Sequence, residues 1–443
     1  MLAADAATSH ESGGSGPCPR LLWQYAMKVL LASLGTAGDI HPFLAIGRHL
    51  ITHGHRAELI SNPVFAPLAV RAGLDFTPVG EAAHMHATFS HRFVWHPLNG
   101  FGVMWRYLAR PAIPAALARL EAAAGEPDTV ALYSPFLMPA PRIAQESRGL
   151  RAVSAWTAPQ MLPRFAPPVW LAGRHLGNEV PAAETQYAVL ALDRDKMQPL
   201  ALPDVEAARS ARGLPALDRS IFLDWIHSPL LSIAVFPEWF APASPEWPRP
   251  HLHAGFPLYD DDAAQGLAPT LEAFLDAGAT PVVFTAGTAM HDAGAFFTEA
   301  TEACEALGLR GILLTADPSQ LPATLPPAVT HAGYAPFSLL LPRVRAIVHH
   351  GGVGTLAQAL RAGIPQLLVP QAYDQFDNAS RLVERGVARA LFPREDGGRD
   401  PLRDALAALL ADSAVSAACA AAAARMSNEH PLECVRLALE SLA

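Results

Sequence analysis

His349-His350-Gly351-Gly352-Val353-Gly354-Thr355 follows directly on the apolar run Ala346-Ile347-Val348 and leads into a helix over 356–361 that Gly363 and Pro365 bring to a stop. The stretch reads as a buried strand, a glycine loop and a helix start. Glycines let backbone N–H groups approach an anion closely. The helix behind them presents free N–H donors and the positive end of its dipole. A junction of this kind holds a pyrophosphate with no cation required. His350 is placed to donate to a phosphate oxygen, and Thr355 adds a hydroxyl.

The next apolar strand, Gln366–Val369, runs into Gln371-Ala372-Tyr373-Asp374-Gln375-Phe376-Asp377-Asn378. Asp374 and Gln375 stand just past its end, where a carboxylate and an amide can grip sugar hydroxyls. If a sugar–phosphate bond breaks here, charge builds on the departing diphosphate, and fixed donors aimed at it lower the barrier. A second reading competes. Gly352-x-Gly354-x-x-Ala357 matches the dinucleotide fingerprint, with Asp374 about 20 residues on, as that motif requires. Against a nicotinamide enzyme stand the two histidines before the glycines and the late position in the chain. The first strand–helix unit, the usual home of that fingerprint, carries only Gly35-x-x-Gly38.

The same grammar runs outward through the chain. Val29–Leu34 is an apolar run ending in Gly35-Thr36-Ala37-Gly38-Asp39, with Pro42 expected in the first turn of the following helix and Gly54 as its stop. Ala57–Ile60, Thr129–Tyr133 and Ala152–Ala155 are further strands. After a Pro- and Trp-rich stretch, Pro281–Thr285, a helix near 295–306 and Gly311–Thr315 restart the alternation. The expected fold is α/β, with two Rossmann-like doubly wound domains facing across a cleft. The expected boundaries are a disordered tail over 1–26, an N-terminal acceptor-binding domain over 27–236 and a linker over 237–262. A nucleotide-binding domain over 263–425 and a C-terminal helix over 426–443 that can pack back on the first domain complete the division. Met27 reads as a natural start. Residues 158–220, rich in proline and weakly patterned, read as mobile helices and loops beside an acceptor cleft.

With 443 residues, the chain is long enough for two cores. Its net charge of −9 argues against nucleic acid as a partner. Cys18, Cys304, Cys419 and Cys434 are scattered, which excludes a dense disulfide framework and a cysteine zinc site and suits a reduced, cytoplasmic setting. The stretch from Arg20 to Leu34 imitates a signal peptide, but Lys28 interrupts it. Asp260-Asp261-Asp262 reads as a solvated charge run rather than a metal site.

His350-Gly-Gly-Val-Gly-Thr355 with Asp374-Gln375 and Asn378-Ala379 resembles the donor signature of family 1 glycosyltransferases of GT-B fold. Gly35-Thr-Ala-Gly-Asp39-Ile-His-Pro42 is similar to the N-terminal G-x-x-G-D-x-x-P motif of bacterial members. The resemblance covers the chain from Met27 onward. Asp224-Trp225-Ile226-His227-Ser228-Pro229, Phe236-Pro237-x-Trp239-Phe240-Ala241 and Gly255-Phe256-Pro257-Leu258 resemble the rhamnosyltransferase B chains of rhamnolipid synthesis. That resemblance implies transfer of L-rhamnose from dTDP-L-rhamnose to a β-hydroxyacyl fatty acid dimer, giving a mono-rhamnolipid.

The resemblance places the catalytic base at Asp39, whose competing role is a helix cap; His41 is the alternative base. It places donor contacts at Gly38, Thr288, Tyr334, Ala335, His350, Gly351, Gly352, Gly354, Thr355, Asp374 and Gln375, with no metal and no cofactor beyond the nucleotide-sugar co-substrate. Tyr334-Ala335-Pro336 stands where the family carries a base-stacking W-x-P element. The implied partners are a dTDP- or UDP-sugar and an amphiphilic hydroxylated acceptor, with peripheral contact to the inner membrane or to an acyl-supplying enzyme. Phe93, Trp95, Phe101, Trp105 and Tyr107 are either an acceptor groove or plain core. A sterol or polyketide acceptor, a nucleotide-sugar epimerase and a non-catalytic lipid-holding subunit remain alternatives.

Overall fold

A computed structural model describes residues 26–260, 266–288, 290, 292–394 and 398–442. The tail, Cys18 and Asp261-Asp262 lie outside the described residues.

Fifteen strands are described: β1 Lys28–Ala32, β2 Arg56–Ser61, β3 Asp75–Pro78, β4 Thr129–Tyr133, β5 Arg151–Trp156, β6 Val169–Leu171, β7 Arg174–Leu176, β8 Ser232–Ala234, β9 His251–His253, β10 Val282–Thr285, β11 Gly311–Leu314, β12 Val329–Ala332, β13 Ala346–His349, β14 Gln366–Leu368 and β15 Ala388–Ala390. They build two parallel sheets, ordered β3-β2-β1-β4-β5-β8-β9 and β12-β11-β10-β13-β14-β15, and one antiparallel hairpin, β6–β7. Both sheets reverse direction of winding in the middle, between β1 and β4 and between β10 and β13. Ligands of open parallel sheets bind outside the carboxyl ends of strands at such switch points. The loops after β1, β10 and β13 therefore define one place; they carry Gly35-Thr36, with Ala37–Asp39 opening the helix behind them, Ala286–Thr288 and His350–Gly352. The long apolar runs become the central strands because both sheet faces are covered: β1, β4, β10 and β13 are almost wholly buried.

Three expectations are corrected. The segment 158–220 is ordered: the β6–β7 hairpin, helix Ala182–Leu192, a π-helical stretch Asp193–Met197 and helix Gln198–Ser210 occupy most of it. Proline is tolerated there at helix starts and once inside, at Pro203. The expected linker over 237–262 contains β9, which pairs with β8, so the first sheet runs on to His253. Asp260 is no solvated charge. Its carboxylate accepts the backbone N–H groups of Phe337 (3.1 Å) and Ser338 (2.6 Å) at the start of a short helix.

Cross-domain contacts fix the halves. Helix Pro431–Glu440 packs on helix Ala37–Thr52, where Glu433 meets His49 Nε2 (3.3 Å) and Glu440 meets His55 Nε2 (2.8 Å). From the hairpin, Trp170 stacks against Phe376 (4.8 Å) and Phe392 (5.2 Å), and its indole N–H donates to Ser380 Oγ (2.6 Å). Stacked aromatic area with a satisfied N–H is a strong local clamp. Trp170→Ala is expected to lower the thermal midpoint by about 3–5 °C; an unchanged midpoint by calorimetry would show that the hairpin does not hold the halves together.

Candidate active site

Between the two sheets lies a cavity of ≈ 860 Å³. One part is polar and built from the switch-point loops. The other is apolar and belongs to the first domain, with Trp95, Phe101, Phe136, Trp156, Val169 and Phe222 in its wall. Of the sequence-predicted set, Gly38, Asp39, His41, Thr288, Tyr334, Ala335, His350, Gly352, Gly354, Thr355, Asp374 and Gln375 all line it. Gly351 does not. Its φ of +93° and the nearness of Gln375 O (3.1 Å from an added Cβ) show that it serves the turn and the approach of the next loop.

Asp39 sits inside a helix, not ahead of one. Helix Ala37–Thr52 starts five residues before Pro42, because Thr36 caps it and Asp39, the third helical residue, reaches back. Asp39 Oδ2 accepts the Thr36 N–H (2.8 Å) and the Thr36 hydroxyl (3.1 Å). The capping role and a place on the cavity wall thus coexist in one carboxylate: one oxygen holds the helix, the other remains for a ligand. Burial pushes this carboxyl up to about 6, against the lowering effect of the Thr36 bonds. His41 also lines the cavity, with its ring 5.2 Å from that of Tyr259.

On the facing side, helix Val353–Ala362 begins right after Gly352 and points its free N–H groups at the cavity. The His350 ring is wedged between two glycines: a Cβ on Gly287 would fall 2.5 Å from its Cε1, and one on Gly352 2.4 Å from its Nε2. These glycines are there to admit the ring. Burial lowers His350 to about 4, so it is a neutral imidazole, and its buried Nδ1 has no partner. His349 points away into the sheet, bonded to Gln366 Oε1 (2.9 Å) and to the Gly351 N–H (3.1 Å).

Asp374 ends the loop after β14. Burial, reinforced by the charge of Asp39, raises it to about 7, and Asn378 Nδ2 donates to its Oδ2 (2.8 Å). Gln375 spends its Oε1 on the N–H groups of Gln371 (2.8 Å) and Ala372 (3.1 Å), so only its Nε2 faces outward as a donor. Asn378, which the sequence reading left as part of a motif, ties both loops together by donating also to Gly351 O (3.0 Å). Trp170 and Asp193, both within the 158–220 segment expected beside the acceptor cleft but not singled out there, also line the cavity.

Residues 29–167 match the glycosyltransferase family 28 N-terminal domain, and residues 310–441 match the erythromycin biosynthesis protein CIII-like C-terminal domain. The O-mycaminosyltylonolide 6-deoxyallosyltransferase of Streptomyces fradiae is 29% identical over 401 residues, covering 88% of this chain and 91% of that one. The chain is a GT-B glycosyltransferase. Among solved structures, the glycotransferase of kitacinnamycin superposes with a TM-score of 0.70 at 21% identity, over 95% of this chain and 100% of that chain. The spinosyn rhamnosyltransferase SpnG, complexed with thymidine diphosphate, does so with a TM-score of 0.64 at 20% identity, over 93% and 99%. The glycine loop follows a central strand of the second sheet, and Asp39 lies in the helix after a central strand of the first. Among the described residues no single helix of this glycosyltransferase is long and apolar enough to cross a membrane.

Proposed function

We propose that this glycosyltransferase moves L-rhamnose from dTDP-L-rhamnose onto the hydroxyl of a largely apolar acceptor, with inversion, in one displacement. The observation that carries the reading is the single cavity in which a carboxylate on one domain faces a helix N-terminus and a neutral histidine on the other. Asp39 takes the acceptor proton as the oxygen attacks the anomeric carbon. The diphosphate leaves toward His350, Thr355 and the N–H groups of helix Val353–Ala362. Asp374 and the Gln375 amide hold the sugar, and the Tyr334 ring stacks on the base. Closure of the halves around the clamp at Trp170 keeps water from intercepting the sugar.

The acceptor occupies the apolar part. The motifs around Trp225, Trp239 and Phe256 support a β-hydroxyacyl fatty acid dimer and hence a mono-rhamnolipid product. Supply from an acyl-making enzyme and work at the inner membrane surface from the cytoplasm follow from that acceptor. A second reading, a polyketide or sterol, is supported by the tylonolide-modifying relative and by the 24%-identical sterol 3-beta-glucosyltransferase of Aspergillus terreus. In thermal-shift titration, dTDP is expected to raise the midpoint by about 2–5 °C and GDP not at all. A response to GDP alone would contradict the assignment. Product analysis with hydroxyacyl dimers and with macrolactone or sterol alcohols then separates the acceptors. The donor set is built of backbone N–H groups, imidazole and hydroxyl, so EDTA is expected to leave the rate of transfer unchanged; its loss on chelation would refute a cation-free mechanism.

A further inference from the structure

Three stretches of π-helical backbone belong to the acceptor domain: Trp105–Ala109, Asp193–Met197 and Ile221–Trp225. Such wide turns are rare and concentrate at functional sites. Asp193 opens the second of them and stands in the cavity wall with 5% of its surface exposed. Its Oδ2 accepts the Ser220 hydroxyl (2.8 Å), and Ser220 in turn caps the third stretch by accepting the Leu223 N–H (3.0 Å). Its Oδ1 is buried and has no partner. Of the wall side chains nearest in sequence to these two residues, Leu192, Met197, Phe222 and Leu223 offer no donor, and Lys196, which does, makes no bond to this oxygen. Buried carboxylates are otherwise satisfied several times over, because an oxygen stripped of water and left unpaired is costly. An acidic side chain set into a largely apolar wall with one oxygen unpaired is a half-built hydrogen-bond site.

We infer that Asp193 is the polar anchor of the acceptor site, taking a hydrogen bond from a second hydroxyl or an amine on the acceptor, distinct from the hydroxyl that attacks the sugar. The inference rests on the transferase reading and deepens it. The acceptor is then an apolar skeleton with at least two polar groups, one delivered to Asp39 and one to Asp193. A β-hydroxyacyl dimer has one free hydroxyl and a carboxylate and offers Asp193 no donor, so this anchor favours the polyketide or sterol acceptors of the second reading; Lys196, exposed and also lining the cavity, is the wall cation close to it in sequence.

The test uses two rigid probes of one skeleton, androstanol and androstanediol, titrated calorimetrically into the dTDP-saturated enzyme. Wild type is expected to bind the diol about tenfold or more tighter than the mono-ol, as a bond to a charged acceptor allows. In Asp193→Leu the preference disappears, with mono-ol binding equal or tighter. Asp193→Asn keeps an oxygen but no charge and retains only a smaller preference, about two- to fivefold and below that of wild type. The same diol-to-mono-ol ratio in wild type and Asp193→Leu overturns the inference, as does a ratio near one, or no binding of either probe, in wild type. Should the leucine variant not fold, an asparagine variant with an undiminished ratio overturns it. Binding of dTDP, measured alongside, stays intact when only this inference fails and is absent when the transferase reading itself fails.

Discussion

Asp39→Asn is expected to reduce kcat by about a thousandfold, within the roughly 10²–10⁴ that a positioned general base contributes, while dTDP still binds. The substitution is clean because the Asp39 side chain serves the fold as a hydrogen-bond acceptor for Thr36. Asparagine keeps an oxygen there, and the helix keeps its cap. What is lost is the ability to take a proton. The pH profile of the wild-type enzyme is the companion measurement. A carboxyl raised to about 6 still holds its proton where an ordinary aspartate has lost it. Transfer therefore fails as pH falls through about 6 and rises to a plateau above about 7. Asp374, raised to about 7 partly by the Asp39 charge, titrates in the same window, so the apparent values belong to the pair. A variant that turns over at more than a tenth of the wild-type rate would remove Asp39 from the base role and leave it a cap.

His350→Ala is expected to cost about 10²–10³ in kcat, the usual loss when one fixed donor to a developing charge is removed. The ring is neutral at working pH, because burial holds it near 4, so it acts as an N–H donor and not as a cation. The flanking glycines make a second route to the same loss. Gly287→Ala and Gly352→Ala each bring a methyl to within 2.5 Å of the imidazole and force it out of place. Gly287 is the more constrained of the two, with φ +89°. The measurement is steady-state kinetics with the donor saturating. A kcat within threefold of wild type for His350→Ala would mean that the leaving group is stabilised elsewhere.

The central strands were legible because they are continuous apolar runs: β4 and β13 coincide with the expected Thr129–Tyr133 and Ala346–His349. The peripheral ones were not. Strands such as Asp75–Pro78 and His251–His253 are three or four residues long and half-polar, and a pattern that short has no period. The switch-point loops were readable from glycine spacing, since backbone conformation there is set locally. Asp193 was not, because Asp193-Arg194-Asp195-Lys196 looks like any solvated charge run; only the packing of helix Ala182–Leu192 and its continuation against the Ile221–Trp225 turn buries the first of the four. The sequence offered Asp39 as cap or base; the geometry shows the capping bonds on Oδ2 alone, so the cap does not occupy the whole carboxylate.

The proposed mechanism requires the diphosphate to sit at the start of helix Val353–Ala362. A crystal structure with dTDP bound is predicted to show both phosphates against His350, Thr355 and the first N–H groups of helix Val353–Ala362, with the base over Tyr334. Phosphates found elsewhere in the chain, with that helix start touching only solvent, would contradict it.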